Sequence, residues 1–300
     1  MTSGPGFLSR RSLLAGAAAF VAAATAGRQT AAADEPRIVS LDYGLANTAM
    51  ALGVTPVGIA AADGWDRFVQ EPPLPDSVVD LGMDRLINME RLAALEPDLI
   101  LATPYTQALR SRLSEIAPVL SLTLYAPDGE PLDRSYAATR ELGERIDRVD
   151  AARAYLAEAD ATFAACRERI AAAAPGPVVL VHMIDPRHAR VYGAHALFQN
   201  VLDRIGLENG WPHPTNYWGF QTVGVEKLAE ADPESTIVVV RPFYEDEIEP
   251  ILARSQLWNR LPAIAAGRTI TLPAVLAYGA VPSAVRFAEL ITDAMTTVNR

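Results

Sequence analysis

Residues 150–174, DAARAYLAEADATFAACRERIAAAA, constrain this chain more than any other stretch, because they read as one unbroken helix near its middle. Tyr155, Ala159, Phe163, Cys166 and Ile170 recur at spacings of three and four and form an apolar stripe, with Arg153, Glu158, Arg167 and Glu168 on the other faces. Asp147 or Asp150 is placed to cap its start, and Pro175-Gly176-Pro177 stops it. At 1.5 Å per residue such a rod is on the order of 36 Å long, about the width of a small domain. An ordinary surface helix could look the same; the flanking segments decide for a connector between two lobes.

Before this helix, strand patterns at 37–41, 57–60, 79–81, 99–102 and 119–122 alternate with helical patterns at 46–52, 89–95, 108–116 and 132–146. After it come strands at 178–182, 190–192, 236–240 and 269–272, with helices at 196–205, 225–231, 245–253 and 281–298. Alternation of this kind implies mainly parallel sheets covered by helices. One echo links the halves. Glu90-Arg91-Leu92-Ala93 leads through Pro97 into the strand at 99–102, and Glu226-Lys227-Leu228-Ala229 leads through Pro233 into the strand at 236–240. The expected fold is α/β: two parallel-sheet-based lobes at 34–149 and 175–300, joined by a single long connector helix at 150–174, with a cleft between them.

Residues 1–33 read differently. Ser9-Arg10-Arg11-Ser12-Leu13-Leu14 precedes an alanine-rich apolar run, and Ala31-Ala32-Ala33 offers a cleavage site, which together make an export signal. The paired arginines resemble the twin-arginine type and also begin ordinary secretory signals. The apolar run is short for a membrane span, and no later stretch approaches the roughly 20 residues required. Cleavage would remove three arginines and no acid, taking the net charge from −10 to −13, which argues against nucleic acid as a partner. Cys166 is the only cysteine, so neither an internal disulfide nor lipid attachment after cleavage is expected.

No Gly-x-Ser-x-Gly elbow, phosphate loop or Gly-x-Gly-x-x-Gly occurs. The four histidines, His182, His188, His195 and His213, match no metal-ligand spacing. Aromatic residues are more informative. Tyr43, Tyr105 and Tyr278 follow strands, Trp65 and Phe68 lie in the loop after 57–60, and Trp218 falls in another loop. In open parallel sheets ligands bind beyond the carboxyl ends of the strands, so two facing lobes would direct these rings into one cleft.

The segments 71–77 (EPPLPDS), 184–188 (IDPRH), 197–199 (LFQ), 215–219 (TNYWG) and 273–280 (PAVLAYGA) resemble the periplasmic ferric hydroxamate siderophore-binding proteins of the FhuD type. The resemblance covers essentially the whole mature chain. It implies the class III periplasmic binding protein architecture, a shallow aromatic cleft, and delivery of a ferric siderophore to an inner-membrane ABC permease with its ATPase. A monomeric, non-enzymatic carrier free in the periplasm is implied, with no cofactor and no metal ligand from the protein, since the siderophore itself holds the iron. By position Tyr105, Trp218 and Tyr278 match cleft aromatics, and Phe68 stands where the family has a tryptophan. The family's cleft arginine aligns with Asp84, and the nearest arginine is Arg85; Leu276 replaces another tryptophan. If Asp84 faces the cleft, a ligand with a cationic group is favoured. Glu90 and Glu226 match the glutamates, one per lobe, that related carriers use to dock on arginines of the permease. Two alternatives stay open: the same architecture carrying a corrinoid or haem, and an exported α/β enzyme.

Overall fold

The computed structural model describes residues 1–2, 35–83, 86–127, 129–242 and 248–297. Apart from its first two residues, the expected export signal lies outside the described residues. Five apolar runs in the first half form one parallel sheet: β1 (Ile38–Ser40), β2 (Gly58–Ile59), β3 (Val79–Asp80), β4 (Leu99–Ala102) and β5 (Val119–Ser121), in the order β3-β2-β1-β4-β5. Between them run α1 (Tyr43–Ala51), α2 (Trp65–Phe68), α3 (Met89–Ala94) and α4 (Arg110–Ser114). Both faces of the sheet are buried, as parallel pairing with crossovers requires. Ile38, Leu99 and Leu101 pack with Leu45 on one face, and Val39 and Ile100 with Leu92 and Leu113 on the other.

Two helices follow, α5 (Pro131–Arg145) and α6 (Val149–Ala173). The second is the connector, within one residue of expectation at each end. Its buried side chains are Ala152, Leu156, Ala159, Phe163, Cys166 and Ile170, so Leu156 takes the place in the stripe expected for the half-buried Tyr155. The cap differs too. The residue before the helix is Arg148, with no side-chain cap bond, and Asp147 adopts a left-handed φ of 56°. Asp150 sits in the first turn and pairs with Arg153 at 3.1 Å, where it favours the helix dipole without capping.

The second lobe holds β6 (Val178–Asp185), β7 (His188–Tyr192), β8 (Phe220–Gly224), β9 (Thr236–Val240) and β10 (Thr269–Leu272) in the order β10-β9-β6-β7-β8. Its helices are α7 (Leu197–Ile205), α8 (Ile248–Arg254), α9 (Gln256–Asn259), α10 (Pro262–Ala265) and α11 (Val281–Thr297). Counted within each lobe, both sheets place the third, second, first, fourth and fifth strands side by side. The echoed segments occupy equivalent places: α3 and the 3-10 turn Val225–Glu230 each precede the fourth strand of their lobe.

The lobes differ at the second strand. In the first lobe α1 crosses over and β2 lies parallel to β1; in the second, Pro186-Arg187 turns the chain at once and β7 pairs antiparallel with β6. β8, also antiparallel to β7, was not apparent in the sequence, because only Val223 of its five residues is buried.

The joint is broader than one helix. Leu132 and Tyr136 of α5 belong to the second lobe's core beside Phe163 and Phe198, while Ala138 and Leu142 of the same helix belong to the first. α11 packs on α6, α7 and α1. Gly44 of α1 sits against Gly279 and Ala280, where a Cβ would lie 3.1 Å from the Gly279 carbonyl carbon, so the two backbones meet here with no room for a side chain unless a neighbour shifts.

Candidate ligand-binding cleft

A cleft of about 870 Å³ opens where the two lobes face each other. From the first lobe it is walled by residues that follow strands: Asp42 and Tyr43 after β1, Thr103 to Tyr105 after β4, and Leu124 and Tyr125 after β5. These are carboxyl ends of parallel strands at the point where strand order reverses, between β1 and β4. The second lobe contributes Arg190 from β7, Tyr217, Trp218 and Phe220 around the start of β8, and Tyr278 before α11.

Rings dominate the walls. Tyr217 lies 4.5 Å from Trp218, Trp218 6.0 Å from Tyr278, and Tyr278 5.7 Å from Tyr125, each pair edge to face. Trp218 is 37% exposed and rigidly presented. Asn216 Oδ1 accepts from the Trp218 and Phe220 amides at 2.9 and 3.3 Å, and Gly219 takes φ 79° directly behind the ring. A side chain at Gly219 would collide with the Ala196 backbone. The Tyr125 hydroxyl donates to Ala277 and Gly279 carbonyls at 3.2 and 3.0 Å, so the floor of the cleft is also a bond between lobes.

Of the expected site residues, Tyr43, Tyr105, Trp218 and Tyr278 line this cleft. Tyr43 opens α1 and its hydroxyl donates to the Ala61 carbonyl. Trp65 does not line it. It is fully buried with Ala46, Ile59 and Val69, its indole N–H donates to Pro72 O at 2.8 Å, and its ring backs Tyr43 at 5.7 Å. The loop supplies an internal acceptor for the indole, which lets the whole ring leave water. Phe68 is half-buried beside Arg67 and lies outside the lining. Asp84 and Arg85 fall outside the described residues, next to Met83, which does line the cleft and is 65% exposed.

The sequence reading missed Asp42, Tyr125, Arg190, Tyr217 and Phe220. Tyr217 adjoins Trp218 and was findable by proximity; the others depend on strand ends and register. Asp42 and Arg190 are the charged side chains among the described lining residues. Burial pushes the Asp42 carboxyl up to about 6, partly offset by the Leu45 and Gly44 amides. Burial, then the Asp42 charge, raises the Tyr125 hydroxyl far above its usual range, so it stays a neutral donor. No group of three or more His, Cys, Asp or Glu able to hold a metal occurs among the described residues.

Glu90 and Glu226 are both exposed and both sit in first turns, of α3 and of the 3-10 turn Val225–Glu230. Asn88 caps α3 by accepting from the Arg91 amide at 2.9 Å, which leaves the Glu90 carboxylate uninvolved in the cap.

A walled, ring-lined cleft between two α/β lobes is the form of site that a substrate-binding protein presents. The chain belongs to the periplasmic binding protein family, whose pattern it matches over residues 38–276, and to the FhuD type within it. It is 31% identical over 265 residues to the iron(3+)-hydroxamate-binding protein FhuD of Escherichia coli K12, covering 88% of each chain. Its fold superimposes on the Fe3+-Desferal-bound siderophore-binding protein FhuD of Vibrio cholerae with a TM-score of 0.83 and 27% identity, over 88% of this chain and 99% of that one. The petrobactin-binding protein YclQ of Bacillus subtilis shares the fold at a TM-score of 0.69 and 16% identity, over 87% and 92%. The protein is accordingly periplasmic.

Proposed function

We propose that this protein captures a ferric hydroxamate siderophore in the cleft and hands it to an inner-membrane ABC permease. The observation that carries the reading is the wall of four linked rings, Tyr217, Trp218, Tyr278 and Tyr125, with a cationic and an anionic side chain beside them. A ferric siderophore satisfies every iron position itself. It therefore asks the protein only for apolar contact and for donors to its outer oxygens. The likeness to the E. coli and V. cholerae proteins, whose names specify hydroxamate and Desferal complexes, supports the same ligand class here.

Delivery would use the two exposed carboxylates. Equivalent positions in the two lobes suit Glu90 and Glu226 to a permease of two similar halves that reads each with a basic residue. Native mass spectrometry of the processed protein against a panel of ferric siderophores tests the capture step. Retention of a ferric hydroxamate at low micromolar concentration is expected; retention of haem or a corrinoid alone would replace the ligand class.

A further inference from the structure

The second lobe's sheet carries a polar row where it meets the cleft. On the face of β6 and β7 that packs against α6 and α7, Val178, Leu180 and Tyr192 are core. The next residues in that alternation are His182 on β6 and Arg190 on β7. Register sets His182 opposite Arg190 and Arg190 opposite Thr222. One face thus changes from apolar to polar at a single level of the ladder. Arg190, at the centre of that row, lines the cleft.

Its side chain is pre-positioned. The guanidinium carbon lies 4.8 Å from the centre of the Phe220 ring, and Phe220 is itself edge-on to Tyr192 at 6.4 Å. Contact with an aromatic face leaves the edge of a guanidinium able to donate, and because the Arg190 Nε is buried, donation toward the cleft falls to the terminal nitrogens. His182 stays uncharged at neutral pH, because burial drags its pKa down to about 4. Arg190 then supplies the positive charge of the row. Asp42 stands on the first-lobe wall, so the cleft is charged oppositely on its two sides.

We propose that Arg190 is the specificity-determining cation of the cleft, donating from the second lobe to outward-facing oxygens of the iron complex and favouring neutral or anionic complexes over cationic ones at that wall. This rests on the siderophore-carrier reading.

The test is titration of the full mature chain with ferrichrome, a neutral ferric trihydroxamate, and with ferrioxamine B, a cationic one, by Trp fluorescence and calorimetry. Arg190→Gln is expected to weaken ferrichrome binding roughly 10- to 100-fold, the loss of a charge-assisted contact, and ferrioxamine B binding by less. Arg190→Lys, which keeps the charge but not the fork, should fall between wild type and Arg190→Gln, and a wild-type circular dichroism spectrum and melting point for both variants excludes misfolding. Affinity of Arg190→Gln within twofold of wild type for both complexes, or equal losses for both, overturns the assignment. So does loss in Arg85→Gln alone. Failure of the wild-type chain to bind either complex instead sinks the carrier reading, a result separable from any ranking among the variants.

Discussion

Arg286 of α11 places Nη1 2.7 Å from a Glu71 carboxylate oxygen, joining the second lobe to the proline-rich loop of the first. The same side chain donates to Gln70 Oε1 and to Ala274 O, each at 3.3 Å. With the Tyr125 bonds and the shared helices α5 and α11, this fastening opposes opening and closing of the cleft. Lobe motion on binding should therefore be small. Solution scattering with and without a ferric siderophore is expected to give superimposable curves, and compaction of the hinge-closing kind would contradict the rigid joint. Glu71 is largely exposed, so Glu71→Ala, which removes the ion pair and leaves the bonds of the mostly buried Arg286 to Gln70 and Ala274, should cost no more than about 1 kcal/mol of stability. A larger drop in thermal denaturation would mean that the contact does more than latch.

Trp218 is exposed on the second-lobe wall, and the Asn216 side chain fixes the turn that carries it. Its fluorescence should be quenched by a ferric complex, and Trp218→Ala should weaken binding by roughly 1 to 3 kcal/mol. Gly219→Ala, which leaves the ring in place chemically but cannot keep the turn behind it, should weaken binding as well. Calorimetry showing unchanged affinity in both variants would remove this turn from the site.

Stability against pH should be set by two groups that pull in opposite directions. Asp42, raised from 3.8 to about 6, holds its proton more firmly in the folded chain, so its contribution falls as pH rises from about 4 to 6. His182, lowered from 6.5 to about 4, takes its proton first in the unfolded chain, so its contribution is lost as pH falls across that same interval. Each amounts to roughly 3 kcal/mol in full, and together they leave a nearly flat profile. Asp42→Asn keeps a good helix cap and removes one side of the balance. Urea unfolding of that variant should show about 3 kcal/mol lost between pH 6.5 and 4 that the wild type does not lose; parallel profiles would rule the balance out.

Glu90 and Glu226 serve docking in the proposed cycle and have no place in the cleft lining. Glu90→Ala with Glu226→Ala should leave ferric siderophore affinity intact and suppress uptake in vesicles carrying the cognate permease. A buried charge pair lost at such an interface costs about 2 to 5 kcal/mol, against less than about 1 for a solvated first-turn glutamate. Normal uptake by the double variant would leave both as helix-start residues.

The strands at Leu99–Ala102, Thr236–Val240 and Thr269–Leu272 were legible to within a residue, because each is a compact apolar pattern bounded by proline or glycine, and the long middle helix because its buried positions recur every three or four residues up to Pro175. β8 was not. As an edge strand, Phe220-Gln221-Thr222-Val223-Gly224 buries too little to leave a period in the sequence. Arg190 went unseen for a related reason: its place in the cleft is set by a ladder whose other rail is that hidden strand. Trp65 misled in the opposite sense, since nothing local reveals that Pro72 O waits for its indole N–H.

Ala280 completes the first lobe's core beside Leu45 and Ala49, and α11 lies against α1. That lobe is thus unfinished when its own five strands have been made. Closure joins segments far apart in the chain, the kind of contact that makes folding slow because its loop entropy is lost before any packing is gained. A nascent polypeptide without residues 280–297 would already hold every described lining residue of the cleft and yet leave the first lobe's core open, so the walls of the site wait on the last helix to be made for their support.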